Sequence, residues 1–205
     1  MMFTRNAICA LLLLAGAFGV QAQDVIRDVP EVAQLCVNCH IQTAEQRLTM
    51  DAQMVPMLGG QQRKYLENAI DAYRRRQRDH FFMRGIAAGL SDQQRREAIE
   101  YFVHPTGMKN GSARAPAPMP PLAARCAACH GSDTQRPVSE EIPVLAGQHA
   151  LYISRSFQAY ASGSRKHPVM QGQAVDSEGR ASLNSEDLNM IAVWFSRLQN
   201  GISSE

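Results

Sequence analysis

The chain has no cysteine to spare for a structural disulfide. It contains five; Cys9 falls in an apolar N-terminal stretch, and the other four sit in two short motifs at 36–39 and 126–129. Strand-like alternation of apolar and polar residues is also missing, which argues against a β-rich fold. No surplus of one charge exists either. With 21 Lys and Arg against 19 Asp and Glu, the near-neutral balance speaks against nucleic acid as a partner and against a long-range steering field. The one sustained apolar run, from Ala7 to Val20, is short of the roughly 20 residues that a membrane span needs.

What is present at the N-terminus has the pattern of an export signal. Arg5 precedes the apolar run, and Val20-Gln21-Ala22 supplies small or β-branched residues where a signal peptidase reads. Residues 1–22 are therefore expected to be a cleaved signal peptide, with the remainder exported to a bacterial periplasm or its equivalent. Cys36-Val37-Asn38-Cys39-His40 and Cys126-Ala127-Ala128-Cys129-His130 then follow. Two thiols three positions apart lie on one helical turn, where both can add across the vinyl groups of a haem. The adjoining imidazole can ligate its iron. A redox or zinc dithiol explains one such pair less well than haem attachment explains two, each ending in His.

The halves of the chain repeat. Pro56-Met57-Leu58-Gly59-Gly60-Gln61, Tyr65, Ala72-Tyr73 and Met83 recur as Pro143-Val144-Leu145-Ala146-Gly147-Gln148, Tyr152, Ala159-Tyr160 and Met170, all displaced by 87 residues. Apolar spacing predicts helices over 61–78 and 148–162. A closing helix begins at Ser91 with Gln94 completing a capping box, burying Ala98, Ile99 and Phe102. Its counterpart is capped by Asn184 or Ser185 and carries Leu188, Ile191, Trp194 and Phe195. The fold class is all-α: a signal peptide at 1–22, one domain over 23–104, a linker over 105–121 and a second domain over 122–205. The linker assignment rests on prolines too dense for a helix.

Each iron would take a further ligand or leave a position open. Met50, Met54, Met57, Met83 and Met108 are the candidates in the first half, and Met119, Met170 and Met190 in the second. Met83 and Met170 alone stand at equivalent places, each expected in a loop between helices, and are the axial candidates. His80 and His167, three residues upstream of each, are the rivals. The Pro-x-Leu-x-Gly segments are expected to lay a carbonyl against Nδ1 of each proximal imidazole. Gln61, Tyr65, Gln148 and Tyr152 are candidates for propionate contact or for packing. The run Arg74-Arg75-Arg76-Gln77-Arg78 reads as a solvated helix end, with a docking patch or a propionate clamp as its functional alternatives. His104 and His149, without counterparts, read as structural.

The order Pro-x-Leu-x-Gly-Gln, a Tyr-containing helix, Met83-Arg84-Gly85-Ile86-Ala87-Ala88-Gly89-Leu90-Ser91-Asp92 and a last helix ending in aromatics resembles the dihaem cytochrome c4 family. The resemblance covers both halves. It implies tandem duplicated class I cytochrome c domains joined by the Pro-rich linker, with two covalently bound haem c groups. Cys36, Cys39, Cys126 and Cys129 would form the covalent bonds. His40 with Met83, and His130 with Met170, would be the axial iron ligands. It further implies an electron carrier of a respiratory chain, not an enzyme, serving quinol-cytochrome c reductase-type donors and terminal oxidases and reaching membranes through such partners. Two departures stand out: Ile41 replaces the glycine that follows the motif, present as Gly131 in the second copy, and histidine opens both methionine segments where Asp-Pro is frequent. A dihaem oxidoreductase with one labile site, and a subunit docked on a dehydrogenase or oxidase, are the alternative readings.

Overall fold

The computed structural model describes residues 29–40, 49–103, 118–132 and 136–198. The expected signal peptide, Ile41, His104, Met108 and most of the expected linker lie outside the described residues. Short polar side chains set where helices begin. Helix α1 (Glu31–His40) carries the first motif at its C-terminal end. Helix α2 (Met50–Met54) starts where Thr49 Oγ1 accepts from the amide of Ala52 at 3.2 Å. Helices α3 (Arg63–Arg74), α4 (Phe81–Gly89) and α5 (Asp92–Val103) complete the first copy. The capping box expected at Ser91 is present: its Oγ accepts from Gln94 N at 3.2 Å, while Gln94 Oε1 accepts from Ser91 N at 3.0 Å.

The second copy enters through a 3₁₀ turn (Pro121–Ala123) and helix α6 (Ala124–His130), which ends at Gly131 with φ +75°. Helices α7 (Ala150–Ala161), α8 (Pro168–Ala174) and α9 (Ser185–Arg197) follow. Asn184 is the cap of α9, accepting from Asp187 N at 2.8 Å. Among the described residues there is no strand, only isolated bridges, and no helix is long and apolar enough to cross a membrane. The all-α reading holds.

Helix α3 is shorter than its periodicity predicts. It stops at Arg74 because Arg76 takes φ +56°, which closes a Schellman motif: Arg76 N donates to Tyr73 O at 3.1 Å and Gln77 N to Ala72 O at 2.8 Å. Gly163 takes φ +74° at the equivalent place after α7. The second copy thus meets a left-handed position with the residue best suited to it, and the first copy meets it with arginine.

Each copy buries its own apolar cluster. In the second, α9 packs on α7 through Leu188, Ile191, Ala192, Trp194 and Phe195, with Cys126 lying against the cluster. In the first, two smaller groups form around Val32, Leu90 and Ala98 and around Leu66, Ile99 and Phe102, and both touch Cys36. The half-buried cysteine of each motif is therefore anchored to a core, while Cys39 and Cys129 face outward.

Candidate haem-binding sites

The Pro-x-Leu-x-Gly turns do what their sequence predicts. Nδ1 of His40 lies 2.7 Å from Pro56 O, and Nδ1 of His130 lies 2.9 Å from Pro143 O. A carbonyl can only accept, so each Nδ1 carries the proton and each Nε2 keeps its lone pair, the tautomer that a metal requires. Burial holds both imidazoles below the usual histidine pKa, against the raising effect of these hydrogen bonds. The turns themselves are tied down. Gly60 and Gly147, both at φ +73°, donate to Phe102 O and Phe195 O at 2.9 Å. The closing helix of each copy thereby fixes the carbonyl that fixes the histidine.

Met83 and Met170 are half-buried, and they do not lie in loops. Each is the third residue of a short helix, α4 or α8, whose N-caps are His80 and His167. Helices of only nine and seven residues give too little periodicity to be read from sequence. The caps lie near enough to the proximal imidazoles for His80 to act electrostatically on His40 and His167 on His130, so the start of each methionine helix comes to the same site as the motif histidine. The other methionines are placed differently. Met57 is buried, with its amide and carbonyl both bound to Gln148, while Met54, Met119 and Met190 are exposed.

Between the copies lies an arrangement that repeats in reverse. Gln61 donates to Val144 O at 2.7 Å and accepts from Val144 N at 3.1 Å. Gln148 makes the reciprocal pair with Met57, both at 2.9 Å. Arg78 stacks 4.6 Å over the Tyr73 ring and donates to Tyr152 Oη at 2.9 Å. Arg165 stacks 4.5 Å over Tyr160 and donates to Tyr65 Oη at 3.3 Å. The two glutamines and two tyrosines thus serve the contact between copies. The basic run behaves as expected at Arg74 to Arg76, but Arg78 is buried to 8% exposure.

These two guanidiniums test whether the site fits a haem. Arg78 and Arg165 are both buried, and among the described residues neither meets a carboxylate within ion-pair distance. Buried cations require partners. Burial opposes ionisation of Tyr152, yet Arg78 and Arg165 outweigh it and bring the phenol down to about 7. Two buried guanidiniums partnered by rings and hydroxyls favour an anion beside them, and each arginine lies close enough to its own motif histidine to lower that pKa. Haem propionates supply such charge. Paired thiols outside any disulfide, a correctly tautomerised imidazole and a buried cation without a carboxylate partner fit the group in both copies. Sequence reading did not single out Arg165, and placed Arg78 in a solvated run. The signal was there, since the two also lie 87 residues apart.

No protein-family model matches the chain. Over 71 residues it is 37% identical to cytochrome c-554(548) of Halomonas halodenitrificans, covering 35% of this chain and 81% of that one. The structure of cytochrome c4 from Acidithiobacillus ferrooxidans superposes with a TM-score of 0.63 at 22% identity, over 81% of this chain and 99% of that one, which shows the tandem fold. The chain belongs to the cytochromes c, with the tandem fold of cytochrome c4. It is also 30% identical over 113 residues to the thiosulfate dehydrogenase electron acceptor of Stutzerimonas stutzeri, over 55% of this chain and 45% of that one. The chain therefore spans less than half the length of that relative.

Membership brings two covalent haem c groups, matched by the Cys-x-x-Cys pairs at 36–39 and 126–129. A buried positive charge beside a haem disfavours the ferric state. Arg78→Leu is therefore expected to lower the midpoint potential of the first haem by on the order of tens of millivolts, read by spectroelectrochemical titration. An unchanged potential would remove the guanidinium from the site.

Proposed function

We propose that the chain is a periplasmic dihaem electron carrier, with domains over 23–104 and 122–205, in which both irons are six-coordinate. His40 and Met83 would ligate the first, His130 and Met170 the second. Haem c supplies one-electron ferric/ferrous chemistry at each site. The protein's part is to hold and tune. The cysteines tether the group, and the Pro56 and Pro143 carbonyls orient the imidazoles. A thioether ligand from Met83 or Met170 would favour the ferrous form, and Arg78 and Arg165 would balance carboxylate charge at the boundary between the copies. Because the pockets differ in sequence beside each methionine, the two potentials are expected to differ.

The observation that carries this reading is the pinned proximal imidazole with a recurrent methionine helix beside it in both copies. Partners are redox proteins. Quinol-cytochrome c reductase-type donors, or a dehydrogenase such as the one named for the Stutzerimonas relative, would deliver electrons, and a terminal oxidase would take them. The ferric spectrum tests the ligands. The weak red band of methionine–haem ligation should lose about half its intensity in Met83→Ala and in Met170→Ala. Full intensity in Met83→Ala would refute that assignment. Rapid carbon monoxide binding to one haem of the reduced wild type would instead favour an enzyme with a labile site.

A further inference from the structure

We propose that His80 and His167 are positioning residues that hold the ligating methionines in place by capping their backbone. The proposal rests on the axial assignment made above. Nδ1 of His80 accepts from the amide of Met83 at 3.3 Å, and Nδ1 of His167 accepts from the amide of Met170 at 3.4 Å. Each histidine therefore acts on the residue whose side chain is the proposed ligand. The backbone that presents the ring is the same in both copies, with φ −164° and ψ 114° at His80 and φ −164° and ψ 113° at His167.

The rings are held in turn. His80 meets the Tyr73 ring edge-on, with centroids 6.4 Å apart and planes at 69°; His167 meets Tyr160 at 6.4 Å and 71°. The opposite support of each tyrosine is the stacked guanidinium of Arg78 or Arg165. A continuous stack thus runs from the buried arginine through tyrosine and histidine to the methionine amide. It survives a change of neighbours, since Phe81-Phe82 precedes Met83 and Pro168-Val169 precedes Met170.

The first turn matters here because the ligand stands in it. In α4 and α8 the methionine occupies the third helical position, one of the orphan amides that fray first unless a side chain accepts from them. Serine, threonine, aspartate and asparagine are the usual caps. An imidazole reaches the same amide from a ring that tyrosine already fixes. Loss of the cap would let the first turn open and the thioether swing away from its axial direction. Histidine in this place works through methionine, with Nδ1 committed to the backbone.

The test uses the full dihaem protein and the rate at which carbon monoxide binds once it is reduced, which requires methionine to leave. In His80→Ala that rate should rise about fivefold at one haem, the factor corresponding to a typical lost N-cap, and the red ferric band should weaken. His80→Asn, which restores an ordinary cap, should return the rate to within about twofold of wild type. Asn184→Ala removes the cap of α9; it should lower thermal stability and leave the rate unchanged. The same series at His167 should act on the other haem. An unchanged rate in His80→Ala, or a rate in His80→Asn as high as in His80→Ala, would overturn the capping role while leaving the ligands standing. An undiminished red band in Met83→Ala would overturn the axial reading, and the capping role of His80 with it.

Discussion

A protein in which Cys36 and Cys39 are both replaced by alanine is expected to carry half the covalent haem of the wild type, all of it in the second copy. The argument starts from the thiols. They lie on one turn of α1 outside any disulfide, with Cys36 packed against the first core and Cys39 outward. Burial, reinforced by Cys39, pushes the Cys36 thiol up to about 11. It stays protonated at neutral pH, which slows the disulfide that an oxidising compartment would otherwise favour. Without either sulfur no thioether can form in that copy. The second copy keeps its motif and its own apolar cluster, so its haem should remain. Intact mass after denaturation, together with haem staining of fragments cleaved between residues 103 and 118, would measure this. Loss of both groups would mean that the second unit does not mature without the first.

Phe195→Ala should cost about 3–5 kcal/mol, a large fraction of the 5–15 kcal/mol typical of a domain. Phe195 is fully buried and packs edge-on against Trp194 at 4.8 Å. Its carbonyl also receives the amide of Gly147, which anchors the turn that holds His130. The substitution is expected to lower the denaturant midpoint of the second unit without changing the slope. A loss below about 1 kcal/mol would mean that the core refills the space, contrary to a cavity of that size.

Much of this was legible in the sequence because the chain says it twice. The turns that pin Nδ1, the capping box at Ser91 and the apolar faces of α5 and α9 were all readable from local pattern, and the structure bears them out. What escaped was short or shared. Helices α4 and α8 contain too few residues to declare a period, so Met83 and Met170 read as loop residues. Arg76 ends α3 through a left-handed backbone that an arginine does not announce. Arg78 looked like one more cation in a basic run, and its burial depends on Tyr152, 74 positions away. Periodicity reports which face of an element is apolar. It is silent on what a second unit brings to that face.

The contact between the copies has a consequence for how such a chain can arise. The central donors of the contact are reciprocal: glutamine to turn, arginine to tyrosine, and both back again, while Gln62 and the amide of Tyr65 add one-way bonds to Ser139, Ile142 and Glu140. Such a surface is self-complementary, the property that an isologous dimer requires. A single-unit ancestor with this set of residues already held the groups to pair with its own twin. Joining two copies end to end leaves that reciprocal set unchanged and adds a tether that converts a concentration-dependent encounter into a permanent one. Afterwards the halves are free to diverge, as Arg76 and Gly163 or Ile41 and Gly131 have done, provided that neither alters what the other still needs from it.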